Sequence, residues 1–496
     1  IPTNIVFSAV LLIFLFQGKD LGAITTSVTV IDENGEQIER SIPKSEFRKN
    51  IVLFPFENNT GQEENDWLRH AIPVMTQFDI HQDIFINAIS TYELVTKIND
   101  AGFQAEDPIP LTLKKKITGE HHMDFFSSGV IEDTEGEIAV TVSLYDQRTT
   151  KLISENTFSG TEVLRLVDDI TVQLKQDLKI PRQHIETTED LPVSEIMTTS
   201  IPALQYFFRG RNAIAMEDDW LKGIELIEKS VQEDNTFAFG YVYLYTYSLF
   251  SNQGQKVAQA FEPLMKHLYK LPERTQFGVK HDYYSMIKQD RAMAFEVAKN
   301  WAELYPDDLN AHYVLALLYM VRNQTEEAIA EYQTMLRLNP TQSDLLLEIG
   351  GLYKEHGDFE LASDYYKQYL EKFPNSLNAY LELGDLNMVT GNYEKAKSYY
   401  DEARLIEPND LNILLSLANI DTELGNFQEA IDKYNEALAS FTSPEDRNEI
   451  YENLEEYYLL LGQIRKSIEY MELSFTEYEK YAPALMIIDK KSASLG

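Results

Sequence analysis

A spacing of 34 residues recurs through the C-terminal half of this chain. One register of this spacing is occupied by prolines: Pro272, Pro306, Pro340, Pro374 and Pro408. Alanines occupy a second register, from Ala260 to Ala430, and tyrosines a third, from Tyr332 to Tyr434. Three residue types in independent registers at one interval indicate stacked structural repeats, each of which buries its apolar face against its neighbours.

The residues of one repeat, 343–376, predict a pair of packed helices. Gly350 lies on the apolar face of the first helix, where the lack of a side chain lets the second helix approach closely. Gly357 allows the turn between the helices, and Ala362 lies at their closest contact. Pro374 ends the pair, because proline cannot continue a helix interior.

This pattern resembles the tetratricopeptide (TPR) repeat, whose period is about 34 residues. The resemblance implies an all-α TPR superhelix over residues 204–481, and TPR proteins commonly hold another polypeptide. About eight repeats are expected, starting near residues 204, 241, 275, 309, 343, 377, 411 and 448. The first and last are degenerate, as capping repeats are, and residues 482–496 are assigned to a C-terminal cap or tail.

A small α/β sandwich domain is predicted ahead of the repeats, over residues 51–181. The run IVLFPF at 51–56 is continuously apolar, as in a strand buried on both faces. Three later strand-like runs, near 125–132, 137–145 and 152–158, predict an antiparallel meander. Residues 182–203 are rich in turn and polar residues and are interpreted as a linker. The predicted fold class is therefore α+β multidomain.

The sequence LFPFENNTG, followed by DWLRHAIPVMTQFDIHQD, resembles the start of the TolB-like amino-terminal domain. The order of a span, this domain and a TPR array is similar to the extracytoplasmic half of certain bacterial membrane receptors. DLPVSE at 190–195 and LPERTQF at 271–277 are similar to stretches of the kinase-type members. The resemblance implies that a kinase, cyclase or winged-helix effector preceded Ile1.

The first residues of the chain bear on membrane attachment. Residues 5–16 read IVFSAVLLIFLF and carry no charge. A span needs roughly 20 apolar residues, so we interpret residues 1–16 as a short or truncated membrane anchor; a signal-peptide core and a buried core segment are the alternatives. Residues 17–50 form a juxtamembrane stretch, in which 25–31 and 36–42 predict a hairpin.

Charge limits the partners of this chain. It has 43 Lys and Arg against 80 Asp and Glu, a formal net charge of −37 at pH 7. Such a surface repels phosphate backbones, so nucleic acid is excluded as a partner. The run Lys114–Lys116 is interpreted as a solvated face near a helix end.

The sequence has no cysteine, P-loop, dinucleotide fingerprint or nucleophile elbow. His121 and His122 are adjacent, whereas two metal ligands on one helix are favoured four residues apart. We therefore predict no catalytic residue, no cofactor and no metal, and the chain is interpreted as not being an enzyme. The tyrosines of 241–247 are interpreted as packing between repeats.

The first helices of the regular repeats supply a candidate protein-binding groove, in which Asn and Asp can bond an extended backbone and Leu, Met and Tyr form pockets. An ordinary solvated helix surface is the alternative. The candidate residues are Asn310, Tyr313, Leu317, Met320, Asp344, Leu347, Lys354, Asn378, Leu381, Asp385, Met388, Asn412, Leu415, Asn419 and Thr422. Asn412 and Asn419 resemble part of a TPR carboxylate clamp, but its basic partners are missing, so no clamp is predicted.

These features favour a non-catalytic scaffold or sensor of a bacterial signalling protein, anchored in the inner membrane with its soluble part in the periplasm. A cell-envelope assembly or secretion factor of TPR type is the alternative. A third hypothesis, from a different class, is an enzyme whose α/β domain binds a small ligand.

Overall fold

The computed structural model of the chain describes residues 24–31, 36–104, 107–134, 136–188 and 190–482. The predicted anchor, residues 1–16, lies outside these ranges, as does the predicted tail after Ala482. Among the described residues, no helix combines the length and apolar character needed to cross a bilayer.

The amino-terminal half contains the predicted hairpin and a six-stranded sheet with its helices. The hairpin consists of β1 (Thr25–Ile31) and β2 (Gln37–Pro43). The sheet strands are β3 (Lys49–Leu53), β4 (Glu57–Asn58), β5 (Ile86–Ile89), β6 (Phe125–Thr134), β7 (Glu137–Asp146) and β8 (Leu152–Gly160). The helices are α1 (Leu68–Ile80), α2 (Thr91–Asp100), α3 (Leu111–Glu120), α4 (Val163–Asp177), α5 (Arg182–Thr187) and α6 (Val193–Ile196).

The sheet has the strand order β5-β3-β6-β7-β8, with the short β4 paired to β6. Strands β5, β3 and β6 are parallel, and β6, β7 and β8 are antiparallel. The predicted meander is therefore confirmed, and the parallel part explains the continuous apolar run at residues 51–56.

Strand β3 shows why that run must be apolar throughout. Ile51 and Leu53 are buried in the core that contains α1 and α4. Val52, together with Phe54 just after the strand, is buried on the opposite side with residues of α2 and α3. Successive side chains point to opposite faces of a strand, and here both faces are covered by helices.

The segment predicted as a linker, residues 182–203, is packed in the structure. It contains α5, α6 and the start of the next helix. Val193, Ile196 and Met197 are buried in the same core as α1 and α4. The apolar residues at these positions, not the surrounding prolines and threonines, determine how the segment folds.

Eight helix pairs follow within the described range 201–481. The first four pairs are α7 (Ile201–Ala215) and α8 (Trp220–Glu233), α9 (Ala238–Phe250) and α10 (Gly254–Lys266), α11 (Glu273–Asp282) and α12 (Arg291–Leu304), and α13 (Leu309–Val321) and α14 (Thr325–Leu338). The last four are α15 (Leu345–His356) and α16 (Phe359–Lys372), α17 (Leu377–Val389) and α18 (Tyr393–Ile406), α19 (Leu411–Glu423) and α20 (Phe427–Ser440), and α21 (Pro444–Leu460) and α22 (Ile464–Tyr481). The predicted fold class, a small α/β domain followed by helical repeats, is confirmed.

The turn inside each of these pairs contains one residue of positive φ. In the last four pairs it is a glycine, and in the first four it is Asp, Asn or Gln. The residues are Asp218, Asn252, Gln289, Asn323, Gly357, Gly391, Gly425 and Gly462. Asn and Asp tolerate left-handed backbone better than other non-glycine residues. They can therefore form the same turn in repeats that have no glycine at this position.

The chain divides into two compact units, one ending at Thr341 and the other beginning at Gln342. The first contains the sheet domain and the helix pairs up to α14, and the second contains the pairs from α15 onward.

In the first unit, the interpretation of Lys114 as solvated is wrong. Its side chain is 4% exposed, and its Nζ donates a hydrogen bond of 2.6 Å to Ser128 Oγ on β6.

Candidate protein-binding groove

Helix α13 of the first unit carries four of the predicted groove residues. All four are exposed: Asn310, Tyr313, Leu317 and Met320. They lie at intervals of three and four residues, so they share one side of the helix. This stripe is apolar apart from Asn310 and the Tyr313 hydroxyl.

The second unit carries the other eleven predicted residues, and they differ in exposure. Four are exposed: Asp344, Asn378, Asp385 and Asn412. Five are partly buried: Leu347, Lys354, Leu381, Met388 and Asn419. Leu415 and Thr422 are buried, with 3% and 8% exposure. These two do not line an open surface, because α19 turns them into the repeat core, where Thr422 donates its hydroxyl to Ala418 O at 2.9 Å.

An open cavity of about 530 Å³ lies within the second unit. We call it the unit-two groove and define it by Lys354, Glu355, Phe359, Asp385, Met388, Val389, Tyr400, Ser416 and Asn419. Four of the predicted residues meet here: Lys354, Asp385, Met388 and Asn419. The other five were not among the predicted groove residues.

Tyrosines of the second helices anchor polar residues of the groove through a series of hydrogen bonds. Tyr400 Oη donates to Asp385 Oδ1, and Tyr434 Oη donates to Asn419 Oδ1. Asn419 Nδ2 in turn donates to Asn453 Oδ1 at 2.8 Å. The acceptors occupy equivalent positions, 34 residues apart.

Tyr366 departs from this pattern because its own repeat has Gly351 at the acceptor position. Its hydroxyl donates instead to Glu382 Oε2 of the next repeat, at 3.0 Å. Lys354 Nζ also contacts Glu382 Oε2, at 2.6 Å. Because Gly351 has no side chain to accept a hydrogen bond, the Tyr366 hydroxyl bonds the next repeat and not its own.

Burial and the neighbouring carboxylates raise the pKa of Tyr366 and Tyr400. Burial raises the pKa of Tyr366 above its usual range, and Glu382 raises it further. Burial and the hydrogen bond to Asp385 likewise raise the pKa of Tyr400. Both hydroxyls therefore remain hydrogen-bond donors at neutral pH.

The groove combines apolar surface with hydrogen-bond acceptors. Phe359, Met388 and Val389 supply the apolar part, and Val389 is 68% exposed. Among the described residues, no group of three or more His, Asp or Glu is placed to hold a metal ion. The arrangement is suited to holding a chain segment in place by contact and hydrogen bonding.

Sequence reasoning could have found part of what it missed. Val389 directly follows the predicted Met388, and the exposed neighbour of a groove residue at a helix end is a natural rim position. The register of Phe359 and Tyr400 in the second helix indicates packing between helices and gives no sign of a groove position. The Tyr400 ring lies against Gly384, which has no side chain to separate the two helices.

Three family models of the tetratricopeptide repeat match the helical part of the chain. They cover residues 292–343, 344–376 and 375–443. Residues 292–443 are tetratricopeptide repeats. All residues of the unit-two groove lie inside these TPR repeats, which suggests a protein-interaction scaffold.

Curated relatives match a short stretch of the chain. RANBP2-like and GRIP domain-containing protein 8 of Homo sapiens is 34% identical over 85 residues, which cover 16% of this chain and 5% of that protein. E3 SUMO-protein ligase RanBP2 of Pan troglodytes is 33% identical over 85 residues, covering 16% and 3%. The chain therefore spans 5% or less of the length of these relatives.

Solved structures with helical repeats are similar to this chain at low identity. A tetratricopeptide repeat protein from Parabacteroides merdae has a TM-score of 0.36 and 15% identity, covering 60% of this chain and all of that one. PilW, a type IV pilus biogenesis factor, has a TM-score of 0.31 and 17% identity, covering 49% and 95%. MamA has a TM-score of 0.29 and 19% identity, covering 34% and 95%. With TM-scores this low, these likenesses carry no functional argument.

Proposed function

We propose that this chain is a non-catalytic scaffold that binds a polypeptide partner in the unit-two groove. The observation that carries the proposal is the cavity of about 530 Å³ on TPR repeats, where the exposed Val389 and the partly buried Phe359 and Met388 lie beside hydrogen-bond acceptors. Binding sites for polypeptides need both, because apolar contacts supply affinity and polar groups align the backbone.

Selection of peptides from a random display library on the full chain tests this proposal. Peptides enriched on the native protein are then measured against Val389→Trp, whose indole is expected to fill the mouth of the groove. We expect Val389→Trp to weaken their binding by about tenfold or more, which is about 1.4 kcal/mol.

Leu405→Trp is the matched control, because Leu405 is 77% exposed on α18 and does not line the groove. It should leave the affinity of the selected peptides unchanged. Equal binding to both variants, or a selection that yields no binder, would show that the groove does not hold a polypeptide.

We further propose that the scaffold is the extracytoplasmic part of a membrane-anchored bacterial signalling protein. In this proposal, residues 1–16 anchor the chain in the inner membrane, 17–50 lie next to the membrane, 51–181 are a TolB-like domain, and 204–481 are the TPR array in the periplasm. The uncharged run at 5–16 and the LFPFENNTG motif support it.

The reading frame upstream of Ile1 distinguishes this proposal from an envelope assembly or secretion factor. A kinase, cyclase or winged-helix domain upstream is expected for the signalling protein. A start codon immediately before the apolar run would contradict it and favour the assembly factor.

A further inference from the structure

The unit-two groove has an unbalanced charge. Its one lysine, Lys354, is paired with Glu382 at 2.6 Å. Glu355 and Asp385 also line the groove, and no basic side chain of the lining is left to balance them. The groove thus carries a net negative charge at neutral pH.

The surroundings strengthen this charge. Residues 342–482 contain 29 Asp and Glu against 11 Lys and Arg. A cleft lined by one sign of charge attracts ligands of the opposite sign and raises their association rate. An acidic peptide, or a second copy of this acidic chain, would be repelled.

Two hydrogen-bond donors of the groove already donate within the protein. The Tyr400 hydroxyl donates to Asp385, and the Asn419 amide donates to Asn453. A carboxylate has about four acceptor positions, so Asp385 retains acceptor capacity after Tyr400 has used one. A ligand that fills the free acceptor positions of Asp385 must therefore bring donors.

The apolar lining indicates what else the ligand must carry. Phe359, Met388 and Val389 lie in the same cavity as the two carboxylates. The aliphatic stem of an arginine or lysine can pack on such a surface while its charged head contacts carboxylates. A neighbouring leucine-like side chain would cover the remaining apolar area.

We infer that the unit-two groove binds an extended, basic peptide segment in which arginine or lysine alternates with apolar residues. This inference rests on the proposed function and specifies its partner. Arginine is favoured over lysine, because its planar guanidinium can bond a carboxylate through two parallel N–H groups.

Fluorescence anisotropy with three labelled peptides of about twelve residues tests the inference on the full chain. The peptides alternate Arg with Leu, Glu with Leu, and Arg with Ser. We expect the Arg-Leu peptide to bind at least about tenfold more tightly than the Glu-Leu peptide, because the carboxylates repel the latter. The Arg-Ser peptide should bind less tightly than the Arg-Leu peptide, because it leaves the apolar lining uncovered.

The double variant Glu355→Gln/Asp385→Asn removes the two groove charges and keeps the side-chain shapes. It should weaken Arg-Leu binding by about tenfold or more, because the arginines lose the two carboxylates that they would contact directly. The double variant Glu371→Gln/Glu402→Gln is the matched control, because it removes two exposed charges of α16 and α18 outside the groove. It should change the affinity by less than about twofold, the size of a screened surface effect.

Equal losses in the two double variants would show that only the general charge of the unit attracts the peptide, and would overturn the inference. Equal or tighter binding of the Glu-Leu peptide would also overturn it. If the library peptides bind the groove, are blocked by Val389→Trp and are not basic, the proposed function stands and this inference fails. If Val389→Trp blocks no peptide, the proposed function itself fails.

Discussion

Asp79 shows how one residue can make stability depend on pH. It lies on α1, is 5% exposed, and accepts a hydrogen bond of 2.9 Å from Gln82 Nε2. Burial raises its pKa from 3.8 to about 7, although the nearby Lys175 opposes this. The folded protein therefore retains a proton that the unfolded chain loses between these two pH values.

We expect this carboxyl group to lower the free energy of unfolding as pH rises from about 4 to about 7, because the unfolded chain then binds fewer protons than the folded one. Above pH 7 the penalty is complete. Asp79→Asn, which cannot ionise, should stabilise the protein at pH 8 by an amount on the order of a few kcal/mol.

Urea unfolding at pH 8 and near pH 4 measures this effect as a difference between native and variant proteins. The difference should shrink toward zero at the lower pH, where Asp79 is protonated in the folded protein and roughly half protonated in the unfolded chain. A difference that is the same at both pH values would mean that Asp79 is ionised in the folded protein.

At the scale of the element, two adjacent glycines of α15 have opposite roles. A Cβ added at Gly350 would lie 2.5 Å from the Tyr366 ring, which is fully buried. A Cβ at Gly351 would meet only the Tyr366 hydroxyl, at 4.0 Å. Gly350 is needed for the close packing of α15 and α16, whereas Gly351 makes no such contact and only weakens the helix.

Gly350→Ala is therefore expected to destabilise the second unit by about 1–3 kcal/mol through overpacking. Gly351→Ala should stabilise it by up to about 1 kcal/mol, because alanine is the better helix former. Thermal or urea unfolding followed by circular dichroism measures both. Shifts of the same sign in the two variants would contradict this account.

At the scale of the whole molecule, the sheet domain and the first helix pairs share one compact unit. A buried ion cluster joins them. Asp307, in the turn before α13, pairs with Arg48 next to β3 and with Arg274 of α11, whose Nη2 is 3.1 Å from Asp307 Oδ1. Arg274 Nη1 also donates to Asn87 Oδ1 of β5, at 3.0 Å.

Asp307→Asn should cost about 3 kcal/mol, because the buried Arg48 loses this counter-charge and Arg274 keeps only its pair with Asp308, at 3.4 Å. Burial would raise the pKa of Asp307, but Arg274 and Arg48 outweigh it and hold the pKa below its usual range. Its contribution to stability is therefore present at neutral pH and is lost as pH falls through this lowered pKa.

The control for Asp307 is Glu262→Gln, which removes an exposed pair with Lys266 and should change stability by less than about 1 kcal/mol. Chemical denaturation at pH 7 compares the two variants. Similar effects would show that the cluster does not stabilise the first unit.

The repeats and the order of the elements could be predicted from local sequence patterns. The helix pair, its turn at Gly357 and its close contact at Ala362 are encoded within one repeat, so the 34-residue spacing was sufficient. The buried strand at 51–56 could also be predicted, because a strand covered on both faces has apolar residues throughout. The prediction of a solvated Lys114 is wrong, because its burial depends on another element, the strand that carries Ser128.

Which polar residues meet depends on how the helices pack in three dimensions. Lys354 pairs with Glu382, and Tyr400 bonds Asp385, through contacts between different helices. Leu415 is buried although its position matches that of Leu381, because the packing around α19 differs from that around α17. Periodicity specifies the backbone of each repeat, whereas the charge and shape of the groove come from side chains that several repeats bring together in space.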